Sequence, residues 1–312
     1  MKMTMLLYAA PYPLREEDRE RLVRLDCVVL ESTPQTGPVA GMEQAEVFVG
    51  MGHFLAARLD DMPALKMVQL CSAGYDQVPL EKLRARGITL CNARGVMSIP
   101  VAEWVLLKVL EIYKDTRYFL AVQKERRWQM KTDLQELYGK TMGIIGTGSI
   151  GTEVAKRAQA FGCRVIGLNT RGDKRPYFDS CLPRTKLAEL LAQSDIVVLA
   201  LPYSPSSHHL LHRETLRYMK DDAVLVNIAR GGVINEDDLL AHLESGKLRG
   251  AALDVFSREP LPAESPLWQH ERVLVTPHNS FASGQVQERL RELVLANLEA
   301  YIKGLPLRNL VL

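Results

Sequence analysis

The sequence predicts an α/β protein of two domains, each a parallel sheet covered by helices. Three observations carry that prediction. The chain has 312 residues, and at ~100–200 residues per domain this is enough for two cores. Apolar runs of strand length alternate with helical stretches along most of it, the order that builds parallel sheets. One Gly-x-Gly-x-x-Gly, from Gly146 to Gly151, stands between a strand candidate and a helix candidate, the position of a phosphate-binding turn.

Composition narrows the function classes. With 47% hydrophobic and 24% charged residues the chain can build a core and does not read as disordered. Lys plus Arg number 39 and Asp plus Glu 37, a net charge of +2, so the charge balance calls for neither nucleic acid nor an anionic membrane as partner. No uncharged apolar run reaches membrane-spanning length, ~18 residues. The opening apolar run meets Pro11 and Pro13 too soon for a secretory signal. Cys27, Cys71, Cys91, Cys163 and Cys181 are scattered, against both a disulfide framework and a zinc-thiolate site. A cytoplasmic protein is the expectation.

In the first 98 residues, strands are expected at Met5–Ala9, Cys27–Leu30, Val47–Val49, Leu65–Cys71 and Ile88–Cys91, with a helix over 79–86 stopped by Gly87. Residues 98–120 read as one long helix. Pro100 falls in its first turn, where a missing N–H costs nothing, and Ser98 can cap it. Val101, Val105, Leu106, Val109, Leu110 and Tyr113 form its apolar face. This helix can carry the chain between domains, and its aromatic-rich continuation to Trp128 reads equally as an inter-subunit surface. From Thr141 the alternation sharpens. Strands are expected at Thr141–Ile145, Cys163–Leu168, Ile196–Leu201, Val224–Ile228, Ala251–Val255 and Val273–Val275, with helices over 153–162, 185–192, 212–219 and 235–245. A last helix over 284–303 is expected to return to the first domain, since chain ends often lie together.

The glycines have separate tasks. Gly146 makes a tight turn, Gly148 lets the backbone approach a pyrophosphate, and Gly151 lets helix and strand pack closely. The N–H groups opening the helix, at Ser149, Ile150 and Gly151, then face the phosphates. The next strand decides the cofactor. An NAD site usually has an acid ~20 residues after the first glycine. Here that strand ends in Asn169-Thr170-Arg171, with Lys174 and Arg175 behind and Asp173 past the expected place. Arg171 offers a planar fork to a 2′-phosphate, so NADP(H) is favoured over NAD(H). The plain alternative is a solvated basic loop.

Three later segments each place a polar residue just past an apolar strand, where open parallel sheets bind ligands. They are VLVNIARGGVINEDDL (224–239) with Arg230, AALDVFSREPLPAESPLW (251–268) with Glu259, and VLVTPHNS (273–280) with His278. Taken singly, each has an ordinary structural alternative: a surface ion pair, a solvated turn, a packed histidine. Together with SAGYD (72–76), NARGVMSIPVAEW (92–104), GKTMGIIGTGSIG (139–151) and LPYSPSSHHLL (201–211), in this order and spacing, the sequence resembles the D-isomer-specific 2-hydroxyacid dehydrogenase family along nearly its whole length.

The resemblance implies two Rossmann-like domains with a cleft between them: a substrate-binding domain of residues 1–98 completed by 283–312, and a dinucleotide-binding domain of 99–282. It implies NAD(P)-dependent reduction of a small 2-keto acid, glyoxylate or hydroxypyruvate among the candidates, in a homodimer. Arg230, Glu259 and His278 become the catalytic residues. The backbone at Ser72, Ala73 and Gly74 becomes, with Arg230, the carboxylate site. Leu201, Pro202, Ala229 and Asp254 fall to the cofactor, Asp254 being equally readable as a hydrogen-bonded strand cap. The chemistry agrees: histidine titrates near neutral pH and suits an acid/base, Glu259 would orient it, and an arginine can hold a carboxylate while polarising a carbonyl. Arg94, His53, Phe54, Trp128 and Trp268 are candidate pocket or interface residues without a fixed role. His208, His209 and His212 lack acids at ligand spacing, so no metal is expected. Two rival readings are a D-3-phosphoglycerate or other D-2-hydroxyacid dehydrogenase, and a dinucleotide-sensing binding protein. The short run after the last helix is expected to leave no room for the regulatory domain often joined to the former, or for the tails usual in the latter.

Overall fold

The strands of both sheets pair in parallel, and each sheet begins at an interior strand. The computed structural model describes residues 3–32 and 38–312. It divides the chain into two compact units, Met1–Met97 with Ser283–Leu312, and Ser98–Ala282. The first unit runs β1 (Thr4–Ala9), α1 (Glu16–Val23), β2 (Cys27–Glu31), β3 (Val47–Gly50), α2 (Gly52–Arg58), β4 (Met67–Leu70), α3 (Leu80–Ala85) and β5 (Thr89–Cys91). Its strand order is β2-β1-β3-β4-β5. β3 and β4 are buried at every position, as continuous apolar runs covered on both faces should be.

The second unit opens with two helices, α4 (Ser98–Tyr113) and α5 (Thr116–Lys124). It continues through β6 (Thr141–Ile145), α6 (Ser149–Ala160), β7 (Arg164–Asn169), β8 (Ser180–Pro183), α7 (Leu187–Gln193), β9 (Ile196–Leu199), α8 (Arg213–Leu216), β10 (Ala223–Asn227), α9 (Glu236–Glu244), β11 (Leu248–Leu253) and β12 (Val273–Val275). The strand order is β12-β11-β10-β9-β6-β7-β8. The chain leaves β6 toward β8, then crosses back to β9 on the other side. The order therefore reverses between β6 and β9, and a crevice opens at their carboxyl ends.

The final helix, α10 (Gly284–Ile302), belongs to the first unit. Its buried Val286, Leu290, Val294 and Leu298 pack with Leu6, Val49 and Met67 of the sheet, each burial contributing roughly 1.5–3 kcal/mol. The buried amide of α10, Asn297, is satisfied: its Nδ2 donates to Oε1 of the equally buried Gln69 at 2.6 Å and to the Arg308 carbonyl at 2.9 Å, and its Oδ1 accepts from Arg308 N at 2.8 Å. Past the helix, Val311 N donates to Leu90 O at 2.7 Å, so the last residues cover the free edge of β5.

Two expectations need correction. Residues 98–120 are not one helix. The chain breaks at Asp115, whose φ is +46° and whose carboxylate accepts from Tyr118 N at 3.3 Å; a short acidic side chain tolerates the left-handed region and starts a new helix there. Ser98 does not cap α4 from outside. It lies within the helix, buried, and its hydroxyl has no partner. One strand was not legible: β8 is half-buried at all four positions, and an edge strand with so little burial has no apolar pattern to show.

Candidate active site

β10, β11 and β12 lie side by side in parallel, so the residues that follow them emerge together. The turn after β10 is built by Asn227, which is buried: its Oδ1 accepts from Ala229 N at 3.1 Å and its Nδ2 donates to Arg230 O at 3.0 Å. This presents the half-buried Arg230, whose Nη1 donates to the Ala229 carbonyl at 2.8 Å. Gly231 then passes so close to the next loop that a Cβ would lie 1.8 Å from the carbonyl carbon of Phe256. No side chain fits there, and the Arg230 turn is locked against the segment leading to Glu259.

That segment is itself pinned. Ser257 N donates to Glu236 Oε1 at 2.6 Å, and Phe256 N to Glu259 Oε1 at 3.0 Å. The other oxygen of Glu259 lies 2.8 Å from His278 Nδ1. A carboxylate oxygen accepts here, so Nδ1 carries the hydrogen, and Nε2 is the ring nitrogen that this bond does not use. His278 sits at φ +50°, a left-handed conformation that costs ~1–2 kcal/mol for a residue of this kind. Asp254 holds it there. The carbonyl of Asp254 accepts from His278 N at 2.8 Å, and its carboxylate accepts from Thr276 Oγ1 at 2.5 Å, Asn279 N at 2.8 Å and Ser280 N at 3.0 Å. Asp254 is only 1% exposed; its bonds fasten the histidine loop. The sequence shows this loop, but not that Thr276, Asn279 and Ser280 converge on one carboxylate, nor the roles of Asn227 and Glu236.

The glycine turn has the shape a dinucleotide needs. Gly146 has φ +105°, and a Cβ would lie 2.4 Å from Ala200 O. A Cβ on Gly151 would lie 2.0 Å from Gly146 O, whereas one on Gly148 would meet nothing within 4 Å. Gly146 and Gly151 are thus demanded by packing, and Gly148 leaves open space where a phosphate can approach. Gly148 caps α6 without a side chain, leaving the N–H groups of Ser149, Ile150 and Gly151 for an anion. A pocket of about 390 Å³ extends from this turn, lined by Thr147, Leu168, Asn169, Thr170, Leu201 and Pro202 among others; Ala229 is not among its lining residues. Asn169 shapes the turn beside it: Oδ1 accepts from Gly172 N at 2.7 Å and Asp173 N at 3.0 Å, and Nδ2 donates to Thr147 Oγ1 at 3.2 Å. Arg171 does not line the pocket. Its side chain is 82% exposed and its Nε lies 3.5 Å from Asp173 Oδ2. Arg175 and Arg184 do line it.

In the first unit, the Ser72–Ala73–Gly74 loop follows β4 and is stapled to the segment after β5. Ala93 N donates to Ser72 O at 2.9 Å, Asn92 Nδ2 to Ala73 O at 2.8 Å, and Ser72 Oγ to Gly74 O at 2.7 Å. Arg94 and His53 are exposed, while Phe54 is buried and stacks on Phe48. Trp128 is fully exposed, and Trp268 donates from Nε1 to Pro262 O at 2.9 Å. His208 contacts Tyr203 Oη through Nδ1 at 3.0 Å and stacks on His209. Burial pushes the Cys71 thiol up to about 12, and those of Cys27, Cys91 and Cys163 to about 11, so these four are not thiolate nucleophiles at neutral pH. Among the described residues no group of three His, Cys, Asp or Glu side chains is placed to hold a metal, and no helix is long and apolar enough to cross a membrane.

Residues 106–280 match the family model described as D-isomer specific 2-hydroxyacid dehydrogenase, NAD binding domain. The chain is 31% identical over 296 residues to a hydroxypyruvate reductase from Blautia hydrogenotrophica, covering 90% of each. It is 34% identical over 256 residues to a glyoxylate reductase from Korarchaeum cryptofilum, covering 80% of this chain and 76% of that one. A solved structure of a D-isomer specific 2-hydroxyacid dehydrogenase family protein from Aeromonas salmonicida superposes with a TM-score of 0.86 at 32% identity, over 99% of both chains. Another, from Xanthobacter autotrophicus in complex with NADPH and MES, does so with a TM-score of 0.82 at 28% identity, over 99% of this chain and 98% of that one.

Proposed function

Because the chain belongs to the D-isomer-specific 2-hydroxyacid dehydrogenase family, and so is an NAD(P)-dependent oxidoreductase of 2-keto and 2-hydroxy acids, we propose that it reduces a small 2-keto acid of the glyoxylate or hydroxypyruvate kind to the D-2-hydroxy acid, with His278 as acid/base. The observation that carries this reading is the 2.8 Å contact of His278 Nδ1 with Glu259, on a loop fastened by Asp254 and beside the locked Arg230 turn.

The bound dinucleotide supplies the hydride. His278 Nε2 gives its proton to the carbonyl oxygen of the acid during reduction and takes it back during oxidation. Glu259 accepts from Nδ1 in both directions, which fixes the tautomer and stabilises the imidazolium. Arg230 offers a fork of N–H donors to the carboxylate and to the oxygen on which charge develops. The backbone of Ser72, Ala73 and Gly74 keeps its role as a carboxylate-binding loop in this reading. The pocket beside the glycine turn has no carboxylate among its lining residues, which supports NADP(H) over NAD(H). Exposed Leu107, Leu120, Trp128 and Met130 on α4, α5 and the segment after them support a homodimer.

The test is absorbance-monitored oxidation of NADPH and NADH, side by side, with glyoxylate, hydroxypyruvate, pyruvate and bulkier 2-keto acids. Turnover with NADPH ahead and the smallest acids ahead is expected. Turnover confined to 3-phosphohydroxypyruvate would replace the substrate. Tight dinucleotide binding without turnover on any acid would replace the enzyme reading with a sensing one. Arg230→Ala should raise KM for the acid and lower kcat together; an unchanged KM would remove Arg230 as the carboxylate anchor.

A further inference from the structure

β7 and β8 pair in register to their ends, Asn169 opposite Pro183. The next residue, Arg184, therefore stands beside the last residue of β7, at the place where the adenosine ribose is bound in folds of this kind. Arg184 lines the pocket of about 390 Å³ that begins at Gly146. Its Nη1 donates to Ser206 Oγ at 2.8 Å. Ser206 belongs to a different wall, the loop after β9, so this bond spans the pocket's edge.

The serine is also held. Ser206 Oγ lies 2.9 Å from Ser204 Oγ. Ser204 N in turn donates to Ser207 Oγ at 2.7 Å, and Ser207 Oγ donates to Pro202 O at 3.0 Å. A run of hydroxyls thus ties the arginine to the buried Ser207. Arg175 lines the same pocket. Among the described residues no carboxylate lies within ion-pair distance of Arg184 or Arg175, whereas Arg171 lies beside Asp173.

We propose that Arg184, positioned by Ser206 and assisted by Arg175, reads the 2′-phosphate of NADP(H). This inference rests on the NADP(H) reading above and assigns it to residues. Two guanidinium groups that line one pocket without carboxylate partners give it a positive charge that favours a dianion. A 2′-hydroxyl offers no such charge. Arg184 is a fork already fixed at one corner, so it loses less freedom on taking a phosphate than a free side chain would. Charge-assisted hydrogen bonds of this type contribute roughly 10- to 100-fold in affinity.

Calorimetric titration of the full chain with 2′,5′-ADP and with 5′-AMP tests this without turnover. The wild type is expected to bind 2′,5′-ADP the more tightly. Arg184→Ala should cut that preference roughly tenfold or more, and Ser206→Ala less, while 5′-AMP affinity stays unchanged in both and so reports an intact pocket. Arg171→Ala should leave the preference within twofold. If Arg184→Ala keeps the wild-type preference, the inference fails and the NADP(H) reading stands; collapse of the preference in Arg171→Ala instead would move the phosphate to that residue. If the wild type itself binds the two ligands equally, the NADP(H) reading fails, and the inference with it.

Discussion

His278 is held in a left-handed conformation by four hydrogen bonds from one neighbour, Asp254. The two residues should therefore fail differently. His278→Ala removes the proposed proton donor, and kcat should fall by roughly 10²–10⁴-fold while the dinucleotide Kd stays nearly constant; unchanged kcat would dismiss it as the acid/base. Asp254→Asn keeps the size but replaces an acceptor by a donor facing backbone N–H groups. It should lower kcat and also broaden the pH–rate profile, since the imidazole is no longer held in one place. A kcat loss with an unaltered pH profile would argue for a merely structural role. His242 gives a pH effect of another kind. Burial lowers its pKa, with Lys247 adding to the shift, and its Nε2 is buried without a partner. The unfolded chain then takes up this proton at a higher pH than the folded one. Stability from this residue is complete above ~6.5 and is lost as pH falls through the folded value. In denaturant melts, His242→Leu should flatten the fall in stability below ~6.5; an identical slope would exclude it as the source.

At the scale of elements, the strand ends matter more than the strands. The catalytic candidates stand out in the sequence through the order of the motifs that carry the family resemblance; each also follows an apolar strand, by three residues at Arg230 and His278 and by six at Glu259. The fastenings do not stand out, because Asn227, Glu236 and Asp254 act across segments distant in sequence, and no periodicity marks a convergence. The break at Asp115 was hidden for a local reason: the apolar face continues to Tyr113 and resumes in α5, so the period hides a two-residue interruption. Asp115→Ala should cost about 2–3 kcal/mol, from the lost cap and the left-handed φ together, and Asp115→Asn clearly less, in thermal or urea melts. Equal losses would mean that the charge, through Lys131 at 3.2 Å, outweighs the cap. Between β10 and β11, the close approach at Gly231 sets a harder limit. Gly231→Ala puts a methyl group 1.8 Å from a backbone carbon, and should destabilise the second unit by at least about 3 kcal/mol with activity lost together. Wild-type stability in that variant would mean that the two loops are free to part.

On the scale of the molecule, the fold class was readable from the alternation of elements alone, since a parallel sheet needs a crossover after every strand. What alternation does not reveal is which strands adjoin, and both sheets start from an interior strand. Assignment of α10 to the first unit also lay beyond local pattern. Its apolar face is ordinary for a helix, and only its burial against Leu6, Val49 and Met67 says which sheet it covers.

That placement of α10 has a consequence for how the protein is made. A ribosome releases Met1–Met97 first, then all of Ser98–Ala282, and only then the helix that covers the first sheet. Until that moment the nascent chain carries a five-stranded sheet with one face covered only in part, by Leu22 of α1, while the later-made unit already owns every residue of its core. Synthesis order and folding order are therefore opposed: the segment translated first is the one completed last, and it passes through translation in the state most in need of a chaperone.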